Sequence, residues 1–247
     1  MKDYNDFWEK MSSSHGEHPS VRFRNHLILR TVKGVLDPIG DNAILDVGCG
    51  DGVLLRRLHG YLSSSKNNVI FSGYDVSESQ IKKNKLNSAG FNFQVADFNY
   101  EVASDDKFQI IICSEVIEHL EKWRLALQSI SRMNNPGGYL ILTTQSGKRF
   151  KSDCALGHLQ HFELDELTDY LKTLDYVIIK GEKYGFPFYN LQKMVNSVFF
   201  SMSDKVRHNK GNFFNSILFQ ATYFLFRLSL KSKKLGPQIF ILARKIS

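Results

Sequence analysis

The sequence predicts an α/β protein built on one mostly parallel, doubly wound sheet with helices on both faces. Three observations carry that expectation. From Ala43 onward, short runs rich in β-branched residues alternate with polar segments whose apolar residues recur at helical spacing. The first run ends in a glycine-rich loop, Gly48-Cys49-Gly50-Asp51-Gly52, that opens a helix-like segment. Acidic residues then stand at or near the ends of the first three runs, as Asp46, Asp75 and Asp97.

Residues 19–36 read as a leading helix with Leu27, Leu29, Val32, Val35 and Leu36 as its apolar positions. Seven strands are expected, at 43–47, 69–75, 92–96, 108–113, 138–144, 176–182 and 238–244, with crossover helices at 52–61, 77–88, 121–132 and 163–173. Asp165 and Glu166 fall in the first turn of the last helix, where acidic residues meet the positive end of its dipole. Asn135-Pro136-Gly137-Gly138 supplies turn chemistry before the fifth strand. About fifty residues separate the sixth strand from the seventh, where a plain hairpin needs only a few. That segment holds two helical stretches, 191–202 and 213–230. The expected organisation is an N-terminal helical lid over 1–36, a core formed by 37–183 with 237–247, and a helical apolar insertion over 184–236.

At 247 residues and 43% hydrophobic, the chain can bury one sizeable core. Cys49, Cys113 and Cys154 fit neither a zinc ribbon nor a disulfide framework, and Met1 to Trp8 lack the apolar run of a secretory signal, so a reducing, cytoplasmic setting is expected. The formal charge is +7. Its basic residues crowd the last third, at Lys205, Arg207, Lys210, Lys231, Lys233, Lys234, Arg244 and Lys245, and bracket the most apolar stretch. That is an interfacial signature before a nucleic-acid one.

The loop after the first strand lets backbone approach a ligand. Its spacing is G-x-G-x-G, with Val53 after Gly52, so the GxGxxG pattern of dinucleotide enzymes is not completed and an oxidoreductase is disfavoured. Asp46 and Asp51 would repel phosphate and suit a cationic sulfonium and amino group. Asp75 lies where a ribose diol would sit in such a sheet, and Asp97 with Phe98 could meet an adenine.

In these residues the chain resembles the class I S-adenosylmethionine-dependent methyltransferases. ILDVGCGDG matches their first motif, GYD the second, VADF the third and FQIIICSEVIEHL the fourth, over roughly 43–182. The resemblance implies a Rossmann-like seven-stranded sheet and S-adenosylmethionine as cofactor. Candidate contacts for it are Asp46, Gly48, Cys49, Gly50, Asp75, Val76, Asp97, Phe98, Ser114 and Glu115. Trp8, Phe23 and Arg24 resemble the lid of the ubiquinone-biosynthesis O-methyltransferases, in which an arginine meets the cofactor carboxylate; a surface charge on a helix is the alternative for Arg24.

After the fourth strand, Glu115, Glu118 and His119 can converge on one side of a turn, a mixed oxygen and nitrogen set that suits Mg²⁺ or another divalent ion if a further ligand arrives. His158 or His161 lies on the same edge. The ubiquinone-type and small-RNA 2′-O-methyltransferases have a similar Glu-x-x-Glu-His element that holds a metal, which implies Glu115, Glu118, His119 and His158 as ligands. Metal-free relatives share the run, and there His119 would serve as general base, with His158 and His161 as further catalytic candidates.

The expected function is methylation, at oxygen first, of a small and partly apolar or lipid-linked acceptor. Alternatives are a metal-dependent RNA 2′-O-methyltransferase, disfavoured by the acidic 97–121 region, and a non-catalytic cofactor-binding partner protein. Residues 191–230 remain open to four uses: membrane-surface contact at the inner face, acceptor cap, homodimer interface or core packing. A transmembrane reading is disfavoured, because both ends of the insertion must return to one sheet and 191–202 is too short for a second crossing.

Overall fold

Central strands of a parallel sheet are buried on both faces, and here successive isoleucines face opposite ways. Ile111 and Cys113 join one apolar cluster while Ile110 and Ile112 join the other. The computed structural model describes residues 18–37, 40, 42–63, 68–198 and 213–247. Trp8, Lys205, Arg207, Lys210 and the stretch 199–202 lie outside the described residues.

Helix α1 spans Pro19–Val35, followed by β1 (Asn42–Val47), α2 (Val53–Leu62), β2 (Val69–Asp75), α3 (Glu78–Asn87), β3 (Asn92–Val95) and β4 (Phe108–Ser114). A 3₁₀ turn at Ile117–His119 leads into α4 (Trp123–Met133), β5 (Asn134–Gln145), α5 (Lys151–Ala155), α6 (Leu164–Thr173) and β6 (Tyr176–Phe186). The insertion then forms α7 (Phe188–Val198) and α8 (Phe213–Arg227), and the chain ends with β7 (Leu230–Ser232) and β8 (Gln238–Lys245).

The sheet has eight strands in the order β3-β2-β1-β4-β5-β8-β6-β7, one more than expected. The addition is β7, an edge strand paired antiparallel to β6. Its three residues, Leu-Lys-Ser, have no alternation to read and adjoin an apolar stretch that looks helical to its end. The five strands from β3 to β5 run parallel, and β8 lies antiparallel between β5 and β6. β5 is longer than expected because Asn135-Pro136-Gly137-Gly138 is absorbed into it, with a register shift opposite Phe108 and Ile110.

Helix α1 begins with Pro19 at a position where no backbone N–H is required. It buries Val21, Phe23, Ile28 and Val32, while the expected positions Leu27, Leu29, Val35 and Leu36 are partly buried against the same core, so the buried stripe reaches further toward the N-terminus than expected. The reason is α8. Phe23 packs its ring against Phe226 at 6.4 Å and Tyr184 at 5.7 Å, and Arg22 lies over the Tyr223 ring at 5.0 Å. The leading helix thus shares its buried face with the insertion, a contact that local periodicity does not encode. Among the described residues no helix is long and apolar enough to cross a membrane.

Candidate active site at the switch point of the sheet

Successive crossovers leave β1 and β4 in opposite directions, so the strand order opens a crevice beyond their C-terminal ends. The glycine loop occupies one wall. Gly48, Gly50 and Gly52 all have positive φ, at 70°, 51° and 72°. At Gly48 a Cβ would stand 2.4 Å from Val116 Cγ2, so both backbone conformation and space demand glycine.

Asp75 braces this loop from the next strand. Its Oδ2 accepts from Gly50 N and its Oδ1 from Ser77 N, each at 2.8 Å. Asn84 closes the other side by donating to Gly50 O at 2.8 Å. Cys49 is buried, and Gly73 makes room for it: a Cβ there would meet Cys49 Sγ at 2.9 Å. Burial pushes the Cys49 thiol far up, so its role is packing.

The electrostatics ask for a cation. Burial raises the Asp46 carboxyl well above the usual aspartate range, and the neighbouring Asp75 and Asp51 raise it further, while Arg24 opposes them. Asp75 is also raised by burial, partly offset by its two backbone donors. Three acidic side chains around a loop of glycine backbone suit a positively charged, hydroxyl-bearing ligand, and the residues therefore fit S-adenosylmethionine. Val76 is half-buried beside Asp75. Asp97 caps its own turn through Asn99 N at 2.9 Å, and Phe98 is a buried member of the core, which makes its ring a packing element.

On the β4 side, Ser114 Oγ and Thr143 Oγ1 lie 2.9 Å apart. Glu115 follows with φ 58°, a left-handed conformation unusual for a glutamate. That twist aims it across β5 rather than toward Glu118. Arg24 Nη1 lies 3.6 Å from Glu115 Oε2, Thr143 Oγ1 donates to Oε1 at 3.3 Å, and Gln145 Nε2 donates to Oε2. Burial works against the Arg24 charge, but Glu115 together with Tyr184, Tyr189 and Glu118 outweighs it, and the guanidinium pKa is raised.

Glu118 is wholly buried. Its Oε2 accepts from Thr144 Oγ1 at 2.8 Å, and its Oε1 has no hydrogen-bond partner among the described residues. Burial, then the Glu115 charge, hold its carboxyl well above the usual range. His119 donates from Nδ1 to Gly157 O at 3.1 Å, and its ring meets His158 edge to face at 4.8 Å. Ligand atoms of Glu118, His119 and His158 all lie within 4.8 Å of one another. The structure thus brings together three of the four residues expected at a metal, and Glu115 stands apart, engaged by Arg24 and Gln145. An orphaned buried carboxylate oxygen beside two imidazoles fits a divalent ion.

His161 belongs to a second group. Its Nδ1 donates to Gly147 O at 3.1 Å, its Nε2 lies 3.3 Å from His158 Nδ1, and Asp153 Oδ2 is 3.7 Å away. Burial, then Lys193, lower its pKa. Sequence reasoning missed Thr143, Thr144, Gln145, Asp153 and Lys193, all of which reach the site through tertiary contacts. A polar cluster at a strand's C-terminal end, Thr143 to Ser146, was the available signal.

A family model described as a methyltransferase domain matches residues 21–180. The chain belongs to that family. S-adenosylmethionine is the cofactor that accompanies this methyltransferase fold and its loop. The ubiquinone biosynthesis O-methyltransferase of Coxiella burnetii (strain Dugway 5J108-111) is 31% identical over 105 residues, covering 41% of this chain and 42% of that one. The enzyme of the same description from Rickettsia bellii (strain OSU 85-389) is 27% identical over 144 residues, 56% of each chain. These matches span about half the length of the curated relatives. Among solved structures, a putative sarcosine dimethylglycine methyltransferase from Galdieria sulphuraria superposes with a TM-score of 0.62 at 15% identity, over 98% of this methyltransferase-family chain and 96% of the other.

Proposed function

We propose that this protein is an S-adenosylmethionine-dependent methyltransferase that methylates an oxygen of a small, partly apolar or lipid-linked acceptor. The observation that carries the cofactor half is the triad of acids, Asp46, Asp51 and Asp75, around three left-handed glycines at the switch point. In this reading Asp75 holds the ribose hydroxyls, the Gly48–Gly52 backbone lies along the cofactor, and Arg24 meets its carboxylate from α1. Val76, Asp97, Ser114 and the backbone at Phe98 complete the wall.

Bound S-adenosylmethionine supplies a methyl group activated by its sulfonium. The protein then contributes alignment and exclusion of water, and in this reading α1 and the insertion, which pack on each other, are what cover the crevice. Glu118, His119 and His158 would hold a divalent ion, which supplies polarisation of an acceptor oxygen. His119 takes the acceptor proton if no ion is bound. The distant O-methyltransferase relatives support oxygen as the attacked atom.

The lipid half of the reading rests on the insertion. Leu191, Met194 and Val195 of α7, Phe224 of α8 and Leu228 just beyond it are exposed, followed by exposed Leu230 and Leu235 among Lys231, Lys233 and Lys234. An apolar face edged by cations suits the cytoplasmic surface of a membrane. The test mixes the protein with methyl-labelled cofactor and whole-cell extract, with and without a chelator, and divides the label among organic, aqueous and RNA fractions. Label in the organic phase supports the proposal, and its loss with chelator supports the ion. Label confined to RNA or to water-soluble compounds overturns the lipid reading.

A further inference from the structure

The insertion sends a charged side chain into the interior next to the site. Lys193 of α7 is 7% exposed, a costly position for an ammonium without partners. It has two. Nζ donates to Gln145 Oε1 at 2.9 Å and lies 3.3 Å from Asp153 Oδ1.

An ammonium has donors only, so it dictates which end of the Gln145 amide faces it. The oxygen must meet Lys193, and the NH₂ group is thereby turned toward Glu115, to which it donates. Glu115 faces Arg24 in turn. A chain of polar contacts therefore runs from the insertion to the leading helix and converges on the Glu115 carboxylate, which accepts from Gln145 on one side and faces the Arg24 guanidinium on the other. Without the cation, the Gln145 oxygen loses its charged donor and the amide is held through its NH₂ end, so its position beside Glu115 is less tightly fixed.

We propose that Lys193 is a positioning residue for the cofactor. By docking, α7 sets the Gln145 amide, which fixes Glu115 and so aims Arg24 at the amino-acid end of S-adenosylmethionine. This rests on the assignment of Arg24 to the cofactor carboxylate above, and it makes the acceptor-side insertion a determinant of cofactor affinity.

Removing Lys193 alone would strand the buried Asp153 carboxylate, whose Oδ2 accepts from Phe150 N at 2.8 Å, so Lys193→Met is combined with Asp153→Asn. Calorimetric titration uses two probes: S-adenosylhomocysteine, which carries the amino-acid end, and 5′-methylthioadenosine, which lacks it. The double variant should bind S-adenosylhomocysteine about tenfold more weakly, with methylthioadenosine affinity unchanged. Lys193→Arg, which keeps the donors, should match the parent for both. Equal weakening of both probes, or of neither, overturns the proposal. Arg24→Met separates the two levels: an unchanged ratio of affinities there defeats the Arg24 assignment, whereas a changed ratio there with none in the double variant defeats the Lys193 role alone. Should the double variant be unfolded at the assay temperature, Gln145→Met breaks the same chain one link on, with the same expected and overturning results.

Discussion

Gly50 N and Asp75 Oδ2 lie 2.8 Å apart although 25 residues separate them in sequence, so one carboxylate both shapes the glycine loop and lines the crevice it encloses. Asp75→Ala should therefore affect binding and loop order together. Cofactor affinity by calorimetry is expected to fall on the order of 10- to 100-fold, the scale of lost charge-assisted hydrogen bonds. Asp75→Asn should do little better, since its NH₂ would face a backbone N–H. Parent-like affinity in both variants would remove Asp75 from the site.

Gly48→Ala carries two separable penalties. The positive φ of 70° costs about 1–2 kcal/mol for any L side chain, and the Cβ clash with Val116 adds to it. Adding Val116→Ala should relieve the clash and leave the backbone term. Urea denaturation of the single and double variants measures the split, and full recovery in the double variant would mean the backbone term is absent.

Asp46 should trade stability for binding. Its folded carboxyl is raised by burial and by Asp75 and Asp51, so it contributes most at low pH, and that contribution is lost as pH rises through the folded value. Asp46→Asn should match the parent at about pH 4 and become more stable than it as pH rises toward about 8. The same substitution should weaken cofactor binding. A stability difference that shrinks with rising pH would contradict the assignment.

The three-ligand cluster makes a discriminating metal prediction. Mn²⁺ binding followed by electron paramagnetic resonance should weaken about 10-fold or more in Glu118→Gln and in His158→Ala, and little in Glu115→Gln. The distinction follows from geometry: Glu118 Oε1 has no hydrogen-bond partner among the described residues, whereas Glu115 is committed to Arg24, Thr143 and Gln145. Equal loss in Glu115→Gln would place the ion nearer β5.

Vesicle sedimentation tests the insertion. Binding to vesicles containing anionic phospholipid should exceed binding to neutral ones and decline with salt, and Lys231→Glu/Lys233→Glu/Lys234→Glu should abolish the difference. Equal recovery with both vesicle types would point the exposed leucines toward a protein partner.

The cofactor side of this fold is legible in the sequence because its signals are local. Gly48 to Gly52, Asp75 and Asp97 each sit at a strand end whose β-branched run names it, and strand bounds agree with the structure to within a few residues. The acceptor side is less legible because its contacts are distant. Nothing near Lys193 announces a partner at Gln145, and the run from Lys151 to Ala155 is too short for periodicity. The burial of Phe23 at the start of α1 is hidden for the same reason, since Phe226 lies some two hundred residues away. Glu115 was grouped with Glu118 by spacing alone, which cannot see a left-handed residue.

β6 and β8 pair without interruption from Tyr176 opposite Lys245 to Tyr184 opposite Gln238, apart from one bulge, and everything between them is in effect the loop of a single hairpin. The two strands would find each other with a short turn in place of α7, α8 and β7. The sheet therefore tolerates changes of length in this loop, and what constrains its content is a pair of anchors, Lys193 on Gln145 and Phe226 on Phe23. Shortening the loop while keeping those two anchors should leave the β6–β8 register intact.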